Sequence, residues 1–438
     1  MNNNVSSPIV SAPIASASSD WSVEAIAATV KDGMARGEIY TSQAIFDLEM
    51  ERIFHRAWVY VGHETEVPEP GDYRLRTIGT NPVIMVRGAD KSVRVLMNRC
   101  RHRGTTVCEN PAGHTDYFRC WFHGWTYDTT GKLVHVQGPE AYDSKFRQDE
   151  MGLTPAARVG SYRGFVFASL SPEGPSLLDH LGGAARMIDV AVDASPVGQL
   201  LVNYGVHRNK YRGNWKMVGM DGYHPEVLHA SVWEILGRRS HKTFRDTYPD
   251  DDSVATRDFG NGHVMLDSHK QRLRGLQTRL DDFRKIAGGD KYIADMREAY
   301  GERADILLAF GGDPHVGIFP NLQVIGNHIR VIVPIAPDLT EVHMYPTRLV
   351  GVSDEFNEHR LRLHEFFYGP AGTISPDDNE MFERVQVGLM AQADPWIDLT
   401  RGMGQEVRDE DGSVVGRISH ELTQRSQLEA WKSLMVQA

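Results

Sequence analysis

All three cysteines of this 438-residue chain lie within "CRHRGTTVCENPAGHTDYFRC", residues 100–120. Cys100 has His102 two residues on, Cys120 has His123 three residues on, and Cys108 has no such partner. In extended backbone, positions i and i+2 point to the same side, so Cys100 and His102 can face one site together. The second pair needs a turn, and Gly124 follows it directly; Gly104 sits just after the first pair. Glycine beside a ligand lets the backbone approach closely. Two hairpin-like loops, each offering one thiolate and one imidazole, would then clasp a site between them. A structural Cys2His2 zinc ion is one occupant of such a site. The other is a [2Fe–2S] cluster with two Cys on one iron and two His on the other, which suits loops that alternate Cys and His. Zinc fingers usually pair Cys with Cys and His with His, so the cluster is favoured. Cys108 is read as a small buried hydrophobe.

Three clustered thiols are too few for a secreted disulfide framework and point to a reducing compartment. The first twenty residues lack a charged n-region and a continuous apolar core, so residues 1–20 read as a flexible tail of a cytoplasmic protein rather than a signal peptide. A net charge of −11 argues against nucleic acid as a partner. No apolar run approaches the ~20 residues that span a bilayer, so no membrane role is expected.

Residues 21–55 carry apolar positions at helical spacing, with Ser42 as a candidate cap, and "SVEAIAATVKDGM" is expected to be helical. From 56 to 170 the pattern changes to short apolar runs such as "YRLRTIG", "PVIMVRG", "SVRVLMN", "YFRCWF" and "GFVFASL", which predict a small all-β domain around the Cys/His loops. Residues 171–438 mix helical stretches with consecutive strands at "VGIFPNLQVIG", "HIRVIVPIA" and "EVHMYPTRLVG". Residues 238–262 look like loop. The second region is therefore expected to be α+β, an antiparallel sheet with helices packed on it.

"NRCRHRG" and "CWFHGWTYD", with Asn98, Arg103, Gly104, Gly124, Trp125 and Tyr127 flanking the four ligand candidates, resemble the two loop motifs of the Rieske non-heme iron ring-hydroxylating oxygenases, large (alpha) subunit. The resemblance implies a Rieske [2Fe–2S] domain held by Cys100, His102, Cys120 and His123. It also implies a catalytic domain of helix-grip, START-like form.

A second constellation, Asp221-x2-His224-x4-His229, stands in "GNWKMVGMDGYHPEVLH". Asp221 and His224, three apart, share a helix face. His224 and His229 are five apart, ~140° around a regular helix, so they share a metal only if the helix is distorted. Pro225 supplies that irregularity. Two imidazoles and a carboxylate make the facial triad of a non-heme Fe(II) oxygenase, with open positions for O2 and substrate. Taken alone, the "PDD" of residues 376–378 is an ordinary helix start. The resemblance selects Asp378 as the third ligand of a mononuclear Fe(II), with Asp377 as the alternative. It gives Asp221 a separate role, bridging a Rieske histidine of one subunit to His224 of the next in a head-to-tail trimer. The family usually has a longer segment here, with a Glu-Asn pair before the Asp, which this chain lacks.

No flavin or nicotinamide fingerprint is present, so electrons are expected from a separate flavin reductase, a ferredoxin, or both. The closing "LTQRSQLEAWKSLM" resembles large subunits that also take a small beta subunit, giving α3β3, with an α3 homotrimer as the alternative. Val232, Trp233, Leu236, Leu322 and Ile325, with Phe319 and Val324, are candidates to line an apolar pocket for an aromatic substrate. Arg245, His263 and His328 are candidate partners for a substrate carboxylate. The implied reaction is hydroxylation of an aromatic ring with O2, chiefly as cis-dihydroxylation of an arene or aromatic carboxylate. Monooxygenation or demethylation on the same metals is the alternative, and a Rieske electron carrier without catalysis the non-enzymatic one.

Overall fold

The computed structural model describes residues 21–221, 253–372 and 374–437. The fold is α+β: an all-β unit around the Cys/His loops is joined to a larger unit built on one antiparallel sheet. In the all-β unit, Val93–Met97, Asn81–Arg87, Asp72–Ile78 and Ala112–His114 form one sheet in that order. Leu133–His135, Thr126–Asp128 and Tyr117–Arg119 form a second. Arg158–Tyr162, Phe165–Ser169 and Val59–His63 form a third, in which the last strand of the region pairs with the first and closes it. Both of those pairing strands are buried along their whole length.

The larger unit is built on nine antiparallel strands. Their order is His207–Tyr211, Leu339–Pro346, His328–Ala336, Leu322–Ile325, Val316–Ile318, Val264–Asp267, Ala255–Asp258, Val414–Arg417 and Val407–Arg408. Side chains alternate between two apolar layers. Ile325, Ile332, Val342 and Met344 join the layer that contains Trp215, Met217 and Val218. Leu322, Val324, Ile329 and Val331 join the opposite layer, with the helices Leu276–Arg284, Gly289–Tyr300 and Ala304–Phe310.

Two elements differ from the sequence expectation. The stretch 22–34 is not one helix: Val23–Ala27 is helical, and Val30–Lys31 then turns back onto Met34–Arg36. The turn is Asp32-Gly33, both with positive φ, at 52° and 74°. That dipeptide is the preferred two-residue hairpin turn, and it outweighs the helical spacing of so short a segment. Within 238–262, Ala255–Asp258 is a strand rather than loop, because it pairs on both sides, with Val264–Asp267 and with Val414–Arg417. Ser42 does cap Gln43–Glu49, its Oγ accepting from Ile45 N.

Candidate functional site

The two Cys/His loops are built alike. Gly104 N donates to Cys100 O and Cys100 N to Thr105 O; Gly124 N donates to Cys120 O and Cys120 N to Trp125 O. Each glycine has positive φ, 84° and 71°, where a side chain would be strained. This repeated closure points both cysteines inward and both histidines outward. Cys100 and Cys120 are buried in the same core cluster. The His102 and His123 rings meet edge to face with centroids 4.6 Å apart, and His102 is exposed. Like is therefore paired with like across the two loops. That fits a two-iron cluster, with sulfur on the inner iron and imidazole on the outer.

The surrounding residues hold this arrangement. Trp125 stacks on His102 at 4.9 Å and 10°. The Tyr127 hydroxyl accepts from Arg101 N and lies 3.2 Å from Cys100 Sγ. Asn98 binds the backbone beyond the first loop, accepting from Val107 N and Cys108 N and donating to Cys108 O. Burial pushes the Cys120 thiol up, while N–H groups of Phe122 and His123 pull it down. Desolvation, then the neighbouring His123 and Arg103, lower the His102 pKa, which favours the neutral imidazole that a metal needs. Cys108 lies in the core of this unit, its Sγ 3.7 Å from Asn110 O.

The second constellation begins on the helix Trp215–Asp221. His224, His229, Val232, Trp233, Leu236 and Arg245 lie outside the described residues. Asp378 sits with Asp377 in the first turn of the helix Ser375–Gly388, half-buried. The two helices are bound to each other. Gln386 Oε1 accepts from Asn214 N, and Glu383 Oε1 accepts from Arg212 N, just before the Trp215–Asp221 helix. Gln323 Nε2, on the sheet, donates to Val218 O of that helix.

Of the pocket candidates within the described residues, Ile325 shares the layer of Val218, as does Phe319. Leu322 and Val324 pack in the opposite layer, since alternate residues of a strand face opposite sides. His263 is occupied structurally: its Nε2–H donates to His180 O at 2.6 Å and its Nδ1 accepts from Phe319 N at 3.0 Å. It has no ring nitrogen left for a substrate.

A buried group not singled out from the sequence underlies the helix. Glu49 accepts from Lys216 Nζ at 2.5 Å and from the indole N–H groups of Trp215 and Trp431, each at 2.7 Å. Lys216 and Glu49 are both fully buried. An acid in an amphipathic helix and a lysine beside a tryptophan carry no sequence signal of pairing when they stand 167 residues apart.

Residues 57–148 match the Rieske [2Fe-2S] domain family, and residues 197–418 match the catalytic domain of the ring hydroxylating alpha subunit. The chain belongs to the ring-hydroxylating oxygenase alpha-subunit family. It is 34% identical to the 2-halobenzoate 1,2-dioxygenase large subunit of Burkholderia cepacia, over 84% of this chain and 79% of that protein. It is 29% identical to the biphenyl dioxygenase subunit alpha of Metapseudomonas furukawaii, over 95% of this chain and 94% of that one. A structure of naphthalene 1,2-dioxygenase with indole bound shares the fold, with a TM-score of 0.80 at 23% identity, covering 93% of this chain and 94% of that one. The protein is thus an oxidoreductase, the terminal oxygenase of an aromatic ring-hydroxylating system, and its cofactors are a Rieske [2Fe–2S] cluster and a mononuclear iron. Alpha subunits of this family work with electron-transfer partners and often a beta subunit. Among the described residues no helix is long and apolar enough to cross a membrane.

Proposed function

We propose that this alpha subunit adds both atoms of O2 to an aromatic ring as a cis-dihydrodiol, with electrons drawn from a separate reductase directly or through a ferredoxin. In this reading 21–55 pack on the catalytic unit, 56–170 bind the cluster and 171–438 carry the mononuclear iron; residues 1–20, read as a tail from the sequence, lie outside the described residues. Cys100 and Cys120 hold one iron of the cluster, and His102 and His123 hold the other. His224, His229 and Asp378 hold the mononuclear iron. When bound, the cluster supplies single electrons and the mononuclear iron supplies O2 activation beside the substrate.

The observation that carries the reading is the pairing of like with like in the two loops, buried cysteines inside and imidazoles outside. The exposed side is also apolar: Trp121 is 88% exposed and Phe122 55% exposed, next to His123. Such a surface calls for cover. A neighbouring alpha subunit in a head-to-tail trimer, with or without a beta subunit, would supply it and bring its own Asp221 to a Rieske histidine. Asp221 then accepts imidazole N–H bonds from both sides, fixing the tautomer of each ring and conducting charge balance between the sites. The relatives' names span an aromatic acid and a neutral arene, so they leave the substrate class open.

Asp221→Asn tests the reading. The variant is expected to load about three irons per chain and keep the Rieske electron-paramagnetic signal, while a single turnover of the reduced protein with labelled O2 yields almost no product. Wild-type product levels from that variant would remove the bridge. A wild-type protein that binds no third iron would remove the oxygenase assignment of the site.

A further inference from the structure

The helix Trp215–Asp221 has seven residues, too few to be stable by itself in water. Its direction therefore comes from what grips it. Glu49 grips it at two successive residues: Oε2 accepts from the Trp215 indole N–H at 2.7 Å, and Oε1 accepts from Lys216 Nζ at 2.5 Å. Successive residues of an α-helix point about 100° apart. A carboxylate that holds both fixes the rotation of the helix about its axis as well as its height. A single contact would leave the helix free to rock.

The grip is itself enclosed. Lys216 Nζ lies over the rings of Tyr40 at 5.3 Å, Trp215 at 5.3 Å and Trp431 at 6.0 Å, an aromatic cage for the ammonium. The third bond to Glu49, from the Trp431 indole N–H at 2.7 Å, comes from a different helix, Leu422–Val436. The residue before Trp215 is held as closely. Asn214 Nδ2 donates to Tyr40 O and Pro337 O, its backbone N–H donates to Gln386 Oε1, and its carbonyl accepts from the Tyr211 hydroxyl. The N-terminal segment, the sheet and the helix Ser375–Gly388 thus converge on the start of this helix.

Stability alone does not call for a buried ammonium and carboxylate here. Well-packed hydrophobic residues of the same volume often serve stability as well or better. Hydrophobic contact is non-directional, whereas a charge-assisted hydrogen bond fixes both a distance and an angle. What the pair adds is direction, and the helix it directs carries the candidate bridge, Asp221.

We propose that Glu49 and Lys216 are positioning residues for electron transfer between subunits: by setting the rotation of the Trp215–Asp221 helix, they set the direction in which it presents residue 221 to the neighbouring subunit. This rests on the reading of Asp221 as the bridge and says what aims it. The pair acts through the helix. A bridge that meets imidazoles on two subunits tolerates little misdirection, because a hydrogen bond weakens steeply below about 120°.

The test is pulse radiolysis of the iron-loaded protein, oxidised at both centres, without O2 or substrate. A pulse delivers one electron to the cluster, and the return of the oxidised cluster absorbance times its onward passage to the mononuclear iron. Trp215→Phe and Trp431→Phe each remove one indole bond to Glu49, but only the first loosens the helix itself. Trp215→Phe should slow the passage by about 10–100-fold, the usual effect of losing an orienting partner, and Trp431→Phe should change it far less. Lys216→Met combined with Glu49→Gln, which removes the ion pair at similar volume, should slow it as Trp215→Phe does. In all of these the midpoint potentials of both centres and the Rieske electron-paramagnetic signal should keep their wild-type values, as expected of a misdirected helix and not of a damaged metal site. The two tryptophan variants decide the matter even where the double variant fails to fold. Equal rates in Trp215→Phe and Trp431→Phe at unchanged potentials overturn the positioning role. Asp221→Asn in the same experiment separates the two readings. If it passes the electron at the wild-type rate, the bridge falls and this proposal with it. A slow Asp221→Asn beside a Trp215→Phe of wild-type rate keeps the bridge and overturns the positioning role.

Discussion

The Tyr127 hydroxyl is held by the Arg101 N–H and lies 3.2 Å from the Cys100 sulfur, so its own proton is free to point at that sulfur. Hydrogen bonds to cluster sulfurs stabilise the reduced, more negative state and raise the potential. Tyr127→Phe removes one such bond and leaves the ring in the core. At about 0.5–1.5 kcal/mol per net hydrogen bond, and 59 mV per tenfold change for one electron, the Rieske potential should fall by about 20–65 mV. Redox titration of the electron-paramagnetic signal measures it, and an unchanged potential would show that the hydroxyl bonds elsewhere. His328 and Arg330 show how a residue-scale signal is legible in hindsight. In "HIRVIVPIA" the first and third positions are polar in an otherwise apolar strand, hence on one face. The sequence singled out His328 as a possible carboxylate partner but not Arg330, because the other bases near His328, among them His207 and His364, come from another strand and a helix.

At the scale of elements, the helix Trp215–Asp221 is fixed by residues from both ends of the chain. Glu49 closes the helix Gln43–Glu49, and Trp431 lies in Leu422–Val436. Arg52 adds a further link to this C-terminal helix through Met435 O at 2.6 Å. Burial lowers the Lys216 pKa and the adjacent Glu49 carboxylate opposes the shift, so the pair survives as an ion pair only because each completes the other. Lys216→Met leaves Glu49 buried without its cationic partner. Loss of one partner of a buried pair predicts destabilisation of about 3–5 kcal/mol in urea unfolding, with Glu49→Gln in the same background recovering part of it. A loss below about 1 kcal/mol would mean that the pair is not buried as described.

For the molecule as a whole, buried neutral histidines set a limit on acid stability. Burial depresses His63 and His263 to about 4 from the ordinary histidine value of about 6.5. Below about pH 6.5 the unfolded chain takes up protons that these two rings refuse in the fold. Stability is therefore complete above about 6.5 and falls as pH drops from there toward 4, by up to about 1.4 kcal/mol per pH unit for each ring. Chemical denaturation at pH 7, 6, 5 and 4 should show this slope, and it should be shallower in His263→Gln. A slope identical to wild type in that variant would mean that His263 is already protonated in the fold. That outcome would conflict with the bond its Nδ1 accepts from Phe319 N.

The candidate cluster ligands could be picked out from the order of residues, because side chains on tight loops are placed by local backbone. Each loop, from Cys100 to Gly104 and from Cys120 to Gly124, needs only a few residues of backbone and one glycine to bury its Cys while leaving its His nearer the surface, so spacing carries the information. Strand and helix content was legible for the same reason, except where a short-range turn such as Asp32-Gly33 outweighed a short helical pattern. What the linear order did not hold were the contacts between residues far apart: Glu49 with Lys216 and Trp431, Gln323 with Val218, and the row that sets Arg330, Met344 and His207 on one face of the sheet. Those depend on strand register and on which apolar layer each strand face joins, and both follow from packing the sheet against all its helices at once. The loops that carry Cys100 and Cys120 are thus a local property of this protein, whereas which side chains meet on each face of the sheet belongs to the assembled fold.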